Sequence, residues 1–292
     1  MARKATQKTQ KNRRVRGRRL WLPALLLALP LLLTLWMWAC AHLTHLCPAE
    51  VYLKDLPAAF DGARALFISD LNIQSTGDGA RSAALLRKLS SLAPDLLLLG
   101  GDSVRDGALS SAQPFFAALS EFPAPLGKFA VAGEAERDGR SLEGALRDAG
   151  VELLMDACAA VEKDGAQLVI AGLSDVSRKE TPYADLGRAF SGEECVLTLA
   201  HNPAAYVGVR VAEARNGGAW ADLVLSGHNL GGQIRLFGRT LHTLPPEEAR
   251  CLAGWYYAGD LPMLVSQGVQ CPNSPLRLGS RSEVWLLTLR CG

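Results

Sequence analysis

Apolar and polar positions fall into two textures along this chain. Across residues 20–41 there is no Asp, Glu, Lys, Arg or His in 22 positions, and Leu, Ala and Trp dominate. A helix of that length, rising about 1.5 Å per residue, covers the roughly 30 Å hydrocarbon core of a bilayer. Pro23 and Pro30 interrupt an ideal helix, but such breaks are tolerated in membrane spans. Beyond residue 62, short apolar runs alternate with segments of helical period. The runs at 65–69, 96–99, 127–131, 167–172, 195–200, 221–226 and 284–289 predict buried strands. Four leucines at 96–99 do not by themselves separate strand from helix; Pro94 before and Gly100-Gly101 after favour a short strand. Helices are predicted over 81–91, 113–121 and 142–149, with a helix start over 203–209. The alternation predicts an α/β domain.

The informative polar residues stand at the ends of the strands. Asp70, Asp102, Glu134, His201 and His228 each follow an apolar run by zero to three residues. In open α/β sheets the ligand site lies at the carboxyl ends of the strands, so these five side chains are expected on one rim. Each also has a structural reading. Asp70 is placed to cap a turn, His201 and His228 to sit in a core bonded to backbone, and Glu134 to occupy an exposed turn. The two glycines before Asp102 allow close backbone approach, which suits a bridging carboxylate.

Seven segments carry a recognisable order: Ser69-Asp70-Leu71-Asn72, Gly100-Gly101-Asp102, Gly133-Glu134-Ala135-Glu136, Ala200-His201-Asn202-Pro203, Ser226-Gly227-His228-Asn229-Leu230-Gly231-Gly232-Gln233, Val265-Ser266-Gln267-Gly268 and Pro275-Leu276-Arg277. Over roughly residues 48–292, including Glu283 near the end, the chain resembles the calcineurin-like metallophosphoesterase superfamily, in particular its bacterial membrane-anchored members. The pattern of that family reads D-x-H, G-D, G-N-H-D/E, H and G-H-T-H-G-G-Q. The resemblance implies an αββα sandwich with mixed sheets, preceded here by one N-terminal transmembrane helix, and two divalent metal ions bridged by a carboxylate.

By resemblance, one ion takes Asp70, the position of Asn72, Asp102 and the position of Leu230; two of these four have lost a histidine. The other takes Asp102, Glu134, His201 and His228, two carboxylates and two imidazoles that suit Zn, Mn or Fe. Ala135 stands where the family histidine supports the transition state or protonates the leaving group. Alanine transfers no proton, and a general acid is typically worth about 10²–10⁴-fold in rate. Glu136 and Arg137 are adjacent candidates to compensate.

Charge sharpens the organisation. Residues 1–19 hold nine of the 31 Lys and Arg and no acid, leaving 22 basic against 29 acidic residues in the rest. A basic block beside an apolar span is a topology signal rather than a nucleic-acid site. The expected layout is a cytoplasmic tail (1–19), a membrane anchor or uncleaved signal (20–42), a linker and first strand region (43–62), and an extracytoplasmic phosphoesterase domain (63–292). Cleavage around Ala39-Cys40-Ala41 and lipidation at Cys40 are rival readings of the span, and both leave the body outside the cytoplasm. None of the seven cysteines forms a CxxC pair; Cys251 and Cys271 are candidates for a bridge, and isolated buried thiols are the alternative. His42, His45 and His242 have no motif context.

Two functions follow as expectations. One is metal-dependent hydrolysis of phosphoester or pyrophosphate bonds, on phospholipid or lipid-linked phosphates, with one or two divalent ions and a weakened second site. The other is a pseudoenzyme serving as an extracytoplasmic binding or scaffold domain. The membrane is the expected partner, and the sequence points to no protein partner.

Overall fold

A computed structural model describes residues 25–136, 139–176, 181–241, 245, 249–272 and 274–292. The basic tail, the first residues of the apolar span, Arg137 and His242 lie outside the described residues.

The chain builds two mixed six-stranded sheets. The first has the order β1-β14-β2-β3-β4-β5, from β1 (His45–Leu53), β14 (Glu283–Cys291), β2 (Arg64–Ile68), β3 (Leu96–Gly100), β4 (Lys128–Val131) and β5 (Glu152–Leu153). The second has the order β12-β13-β9-β8-β7-β6, from β12 (Gly254–Ala258), β13 (Leu261–Val265), β9 (Leu223–Ser226), β8 (Val196–Ala200), β7 (Ala166–Leu173) and β6 (Ala157–Lys163). β2 to β5 run parallel, as do β13, β9, β8 and β7. A small hairpin of β10 (Arg235–Leu236) and β11 (Arg239–Thr240) stands apart.

Side chains alternate across each sheet and so divide the apolar residues among three cores. Leu66, Ile68, Leu97 and Leu99 face α2 (Thr76–Ser90), α3 (Gln113–Ser120) and α4 (Gly139–Asp148). Ala65, Phe67, Leu96 and Leu98 turn the other way, onto Leu168, Ile170, Leu197, Leu223 and Leu225 of the second sheet. The outer face of that sheet packs Val196, Val224, Met263 and Val265 against α5 (Tyr183–Ala189) and α6 (Ala205–Val211). The result is the expected α/β/β/α sandwich. The leucine run 96–99 is fully buried because both faces of β3 are covered, and each such side chain contributes roughly 1.5–3 kcal/mol.

Residues 43–62, expected as a linker and first strand region, hold β1 and a short 3-10 turn at Ala58–Phe60. β1 pairs in parallel with β14 along its whole length, from His45 opposite Glu283 to Leu53 opposite Cys291. The helix expected at 81–91 starts earlier, at Thr76, because Ser75 caps it. The Ser75 hydroxyl accepts from the Asp78 N–H while the Asp78 carboxylate accepts from the Ser75 N–H, a reciprocal capping box.

The N-terminal helix α1 (Leu25–His42) is long and apolar enough to cross a membrane, and its leucines are exposed. Its last turn is tied to the body, where Arg277 N–H donates to Met37 O (3.0 Å) and Ser282 N–H to Cys40 O (2.9 Å). The bond to Cys40 O satisfies one of the carbonyls that a helix end leaves without a partner. All seven cysteines are free thiols, so the Cys251–Cys271 bridge is not formed.

Candidate metal centre

The facing carboxyl ends of the parallel strands build one site. β2 delivers Asp70 and Asn72, β3 Asp102, β4 Glu134 and Ala135, β8 His201, and β9 His228 and Leu230. The loops continue the ladder past the strands: Asp70 N–H donates to Gly101 O, Asn72 N–H to Asp102 O, and Gly227 N–H to His201 O. Asp70, Asn72, Asp102, His228 and Leu230 all sit at positive φ, between 45° and 72°. Such a concentration of left-handed residues marks loops whose conformation is dictated by their surroundings.

Two glycines keep the centre compact. A Cβ on Gly133 would lie 2.1 Å from Asp102 Oδ1, and one on Gly101 (φ 89°) would lie 2.6 Å from His201 Nδ1. No other residue type leaves that space to the carboxylate and the imidazole.

The five sequence candidates converge. The ligand atoms of Glu134, His201 and His228 lie within 4.8 Å of one another, as do those of Asp70, Asp102 and His201. His201 thus belongs to both clusters. Asn72, Ala135 and Leu230 line the same cavity of about 490 Å³. Ala135 presents no proton donor from its side chain; its N–H donates to Asp102 Oδ1 (2.9 Å) and orients that carboxylate.

The fit to a cation is decided at His201, which is buried. Its Nδ1 lies 2.8 Å from Gly100 O, and only a protonated nitrogen bonds a carbonyl, so Nε2 is the atom turned into the site. Nε2 stands 2.9 Å from Glu134 Oε2 and 3.5 Å from Asp102 Oδ1, with neither in hydrogen-bond alignment. His228 Nδ1 reaches the same Glu134 oxygen at 3.0 Å. Nε2 facing two carboxylates calls for a positive charge between them, a proton on the ring in the free protein or a metal ion in its place. Two imidazoles and two carboxylates are a donor set for a divalent ion such as Zn²⁺, Mn²⁺ or Fe²⁺.

The electrostatics agree. Burial works against charge on His201, but Asp102, Glu134 and Asp70 outweigh it and raise its pKa well above the ordinary imidazole value. His228 is raised too, its bond to Glu134 overcoming burial. Burial also opposes ionisation of Glu134, yet the two histidines hold its carboxyl far below the usual range. Asp70 is pushed up to about 6 by burial. The site as a whole draws in positive charge.

Glu136, an adjacent candidate to replace the missing proton donor, does not line the cavity. It is buried and accepts backbone N–H bonds from Asp102, Ser103, Val104 and Gly133, at 2.8–3.2 Å. Its work is to clamp the loop after β3 to the loop after β4. Burial, with Asp102 adding, pushes its carboxyl up to about 7.

Arg105 escaped the sequence reading, while Arg277 stood in one of its seven segments without a role. Arg105 lines the same cavity as Asp102 and Glu134, with Nη1 3.4 Å from Asn72 Oδ1. A basic residue three positions after Asp102 was the available signal. Arg277 is fully buried and donates to the backbone oxygens of Leu230, Gln267, Gly268 and Arg281. It rivets the His228 loop to the C-terminal segment that holds α1. Glu283 has a parallel role, accepting from Gln267 and from Trp285 Nε1.

Comparison with known proteins agrees with this construction. The calcineurin-like phosphoesterase family model matches residues 63–231. Phosphodiesterase YaeI of Escherichia coli is 30% identical over an alignment covering 82% of this chain and 85% of its own. A "transmembrane protein with metallophosphoesterase domain" of Bos taurus is 27% identical over 82% of this chain and 56% of its own, so the chain spans about half the length of that relative. UDP-2,3-diacylglucosamine pyrophosphatase LpxG of Chlamydia muridarum is 33% identical over 34% of this chain and 31% of its own. A family model covering more than half of the chain, over the strands that carry Asp70, Asp102, Glu134, His201 and His228, establishes that this chain belongs to the calcineurin-like phosphoesterases.

Proposed function

We propose that this chain is a membrane-anchored, metal-dependent phosphoesterase acting on phosphodiester or pyrophosphate bonds of lipid-linked phosphates. The observation that carries the reading is the turn of His201 Nε2 toward Glu134 and Asp102, with His228 on the same glutamate oxygen. Asp102, Glu134, His201 and His228 hold one divalent ion of Mn, Zn or Fe; the side formed by Asp70, Asn72 and Leu230 is the weakened second position. When bound, such an ion polarises a phosphoryl oxygen and lowers the pKa of water. Asp70, raised to about 6 and facing the same cavity, orients the attacking water.

The chain offers the leaving group no proton from Ala135. Hydrolysis therefore favours esters whose leaving oxygen departs as a stable anion, and turnover falls as leaving-group basicity rises. The anchor reading rests on α1, with residues 1–19 cytoplasmic, 20–42 in the membrane and the 63–292 domain outside. The lipid reading draws on that anchor and on two relatives, one named a phosphodiesterase and one a diacylglucosamine pyrophosphatase.

The replacements at Asn72, Ala135 and Leu230 favour a second reading, a binding domain that keeps the fold without turnover. The full chain in detergent, assayed with Mn²⁺ on an aryl phosphodiester beside Asp102→Asn, separates the two. Turnover lost in the variant supports the enzyme. Equal background rates in two folded proteins leave the binding domain.

A further inference from the structure

We infer that Arg105 and Asn72 form an anion subsite that grips the non-bridging oxygens of a phosphoryl group, on the wall of the cavity where metal ligands have been replaced. The inference rests on the function proposed above and names what that wall does in place of coordinating an ion.

The argument begins with charge. Asp70, Asp102, Asp106 and Glu134 all line the cavity, and a phosphoryl group entering it meets four carboxylates. One divalent ion offsets only part of that repulsion. Arg105 is the permanently cationic side chain in the cavity wall. Among the described residues it forms no ion pair with those acids; its one polar contact is to Asn72 Oδ1, at 3.4 Å. Its charge is left for a ligand.

The guanidinium is also well placed. Arg105 N–H donates to Ile73 O (3.0 Å), and Ile73 and Val104 form an isolated parallel bridge. The two residues before it, Ser103 and Val104, are clamped through their N–H groups to Glu136. The base of the side chain is therefore fixed relative to Asp102, and the half-buried residue lines the cavity. A planar guanidinium matches two phosphoryl oxygens at once, which a point charge does not.

Asn72 acquires a purpose in this arrangement. A neutral amide offers its oxygen to the guanidinium and retains two N–H donors for a phosphoryl oxygen. A histidine bound to a metal ion there would bring a second cation against Arg105. The apolar Leu230 supplies no ligand that would retain such an ion. The guanidinium and a second metal ion are thus alternatives for one position.

The test uses the full chain in detergent, with Mn²⁺ content measured by atomic emission and inorganic phosphate as the calorimetric probe. Arg105→Ala is expected to leave metal content unchanged and weaken phosphate binding by about 10–100-fold, the range of a lost charge-assisted hydrogen bond. Arg105→Lys recovers part of that loss, and added guanidinium ion restores binding to Arg105→Ala. Phosphatidylglycerol vesicles and soluble glycerol phosphate, each competing with phosphate, distinguish a lipid headgroup from a free phosphate as the source. Competition by either upholds the subsite if Arg105→Ala removes it. Equal phosphate affinity in wild-type and Arg105→Ala proteins overturns the subsite, as does loss of metal from the variant. A wild-type protein that holds no Mn²⁺ overturns the proposed function instead, and the Arg105 ratio is then read in the metal-free protein.

Discussion

Two walls of one cavity share left-handed backbone and differ in chemistry. On one, Glu134, His201 and His228 converge to within 4.8 Å; on the other, Asp70 faces Asn72 and Leu230. His228 (φ 72°) and Leu230 (φ 49°) lie two residues apart in one loop, both left-handed. Asparagine adopts that region readily, but for leucine it costs about 1–2 kcal/mol. Leu230 stays there because its carbonyl accepts from Gln233 N–H (3.0 Å) and from buried Arg277 (3.4 Å). The comparison teaches that the shape of this loop is held by the protein's own hydrogen bonds, at Leu230 O above all.

The largest expected effect breaks the populated wall. His201→Ala removes the ligand shared by both clusters and is expected to lower Mn²⁺ or Zn²⁺ affinity by more than about a hundredfold, read by calorimetry. If affinity is unchanged, the ion is not held there.

The contrast sharpens with pH. In the metal-free protein His201 and His228 hold protons more tightly than an ordinary imidazole, and a metal ion must displace them. Affinity therefore rises with pH, by about tenfold per unit for each proton released, and the rise extends above the ordinary imidazole range because both histidines are raised beyond it. Titrations in buffers of different ionisation enthalpy count the protons; a pH-independent affinity excludes both histidines.

Refilling the depleted wall is the next test. Asn72→His with Leu230→His is expected to raise bound Mn²⁺ from about one to about two ions per chain, measured by atomic emission. Unchanged stoichiometry would show that more than ligand identity was lost.

The smallest effect at the metal comes from loosening the loop behind Leu230. Arg277→Leu strands several buried carbonyls and is expected to cost about 2–3 kcal/mol in denaturant unfolding. Metal affinity at Glu134, His201 and His228 should stay within about threefold of wild type, because none of Arg277's bonds reaches them.

Much of the fold was legible because its strands are buried on both faces and read as continuous apolar runs. The misses have specific causes. The bounds of β1 within the expected first strand region were hidden because it contains Pro48 and alternates exposed with buried positions, as suits a sheet edge. The hairpin β12–β13 carried its signal in the aromatic run Trp255-Tyr256-Tyr257 before Gly259-Asp260, and went unread. The start of α2 was hidden by Gly77 and Gly79, although Ser75 and Asp78 had the spacing of a capping box.

The sequence by itself determined the apolar runs that became the central strands, the apolar α1 and the five side chains at strand ends, because periodicity and strand-end position are local properties of a chain. Tertiary structure decided the rest. It turned His201 Nε2 onto Glu134, made Glu136 a clamp, buried Arg277 among carbonyls and set Arg105 beside Asn72. Each of these joins different strand-end loops, and a loop's partner across the site is chosen by how the two sheets pack, which no local pattern encodes.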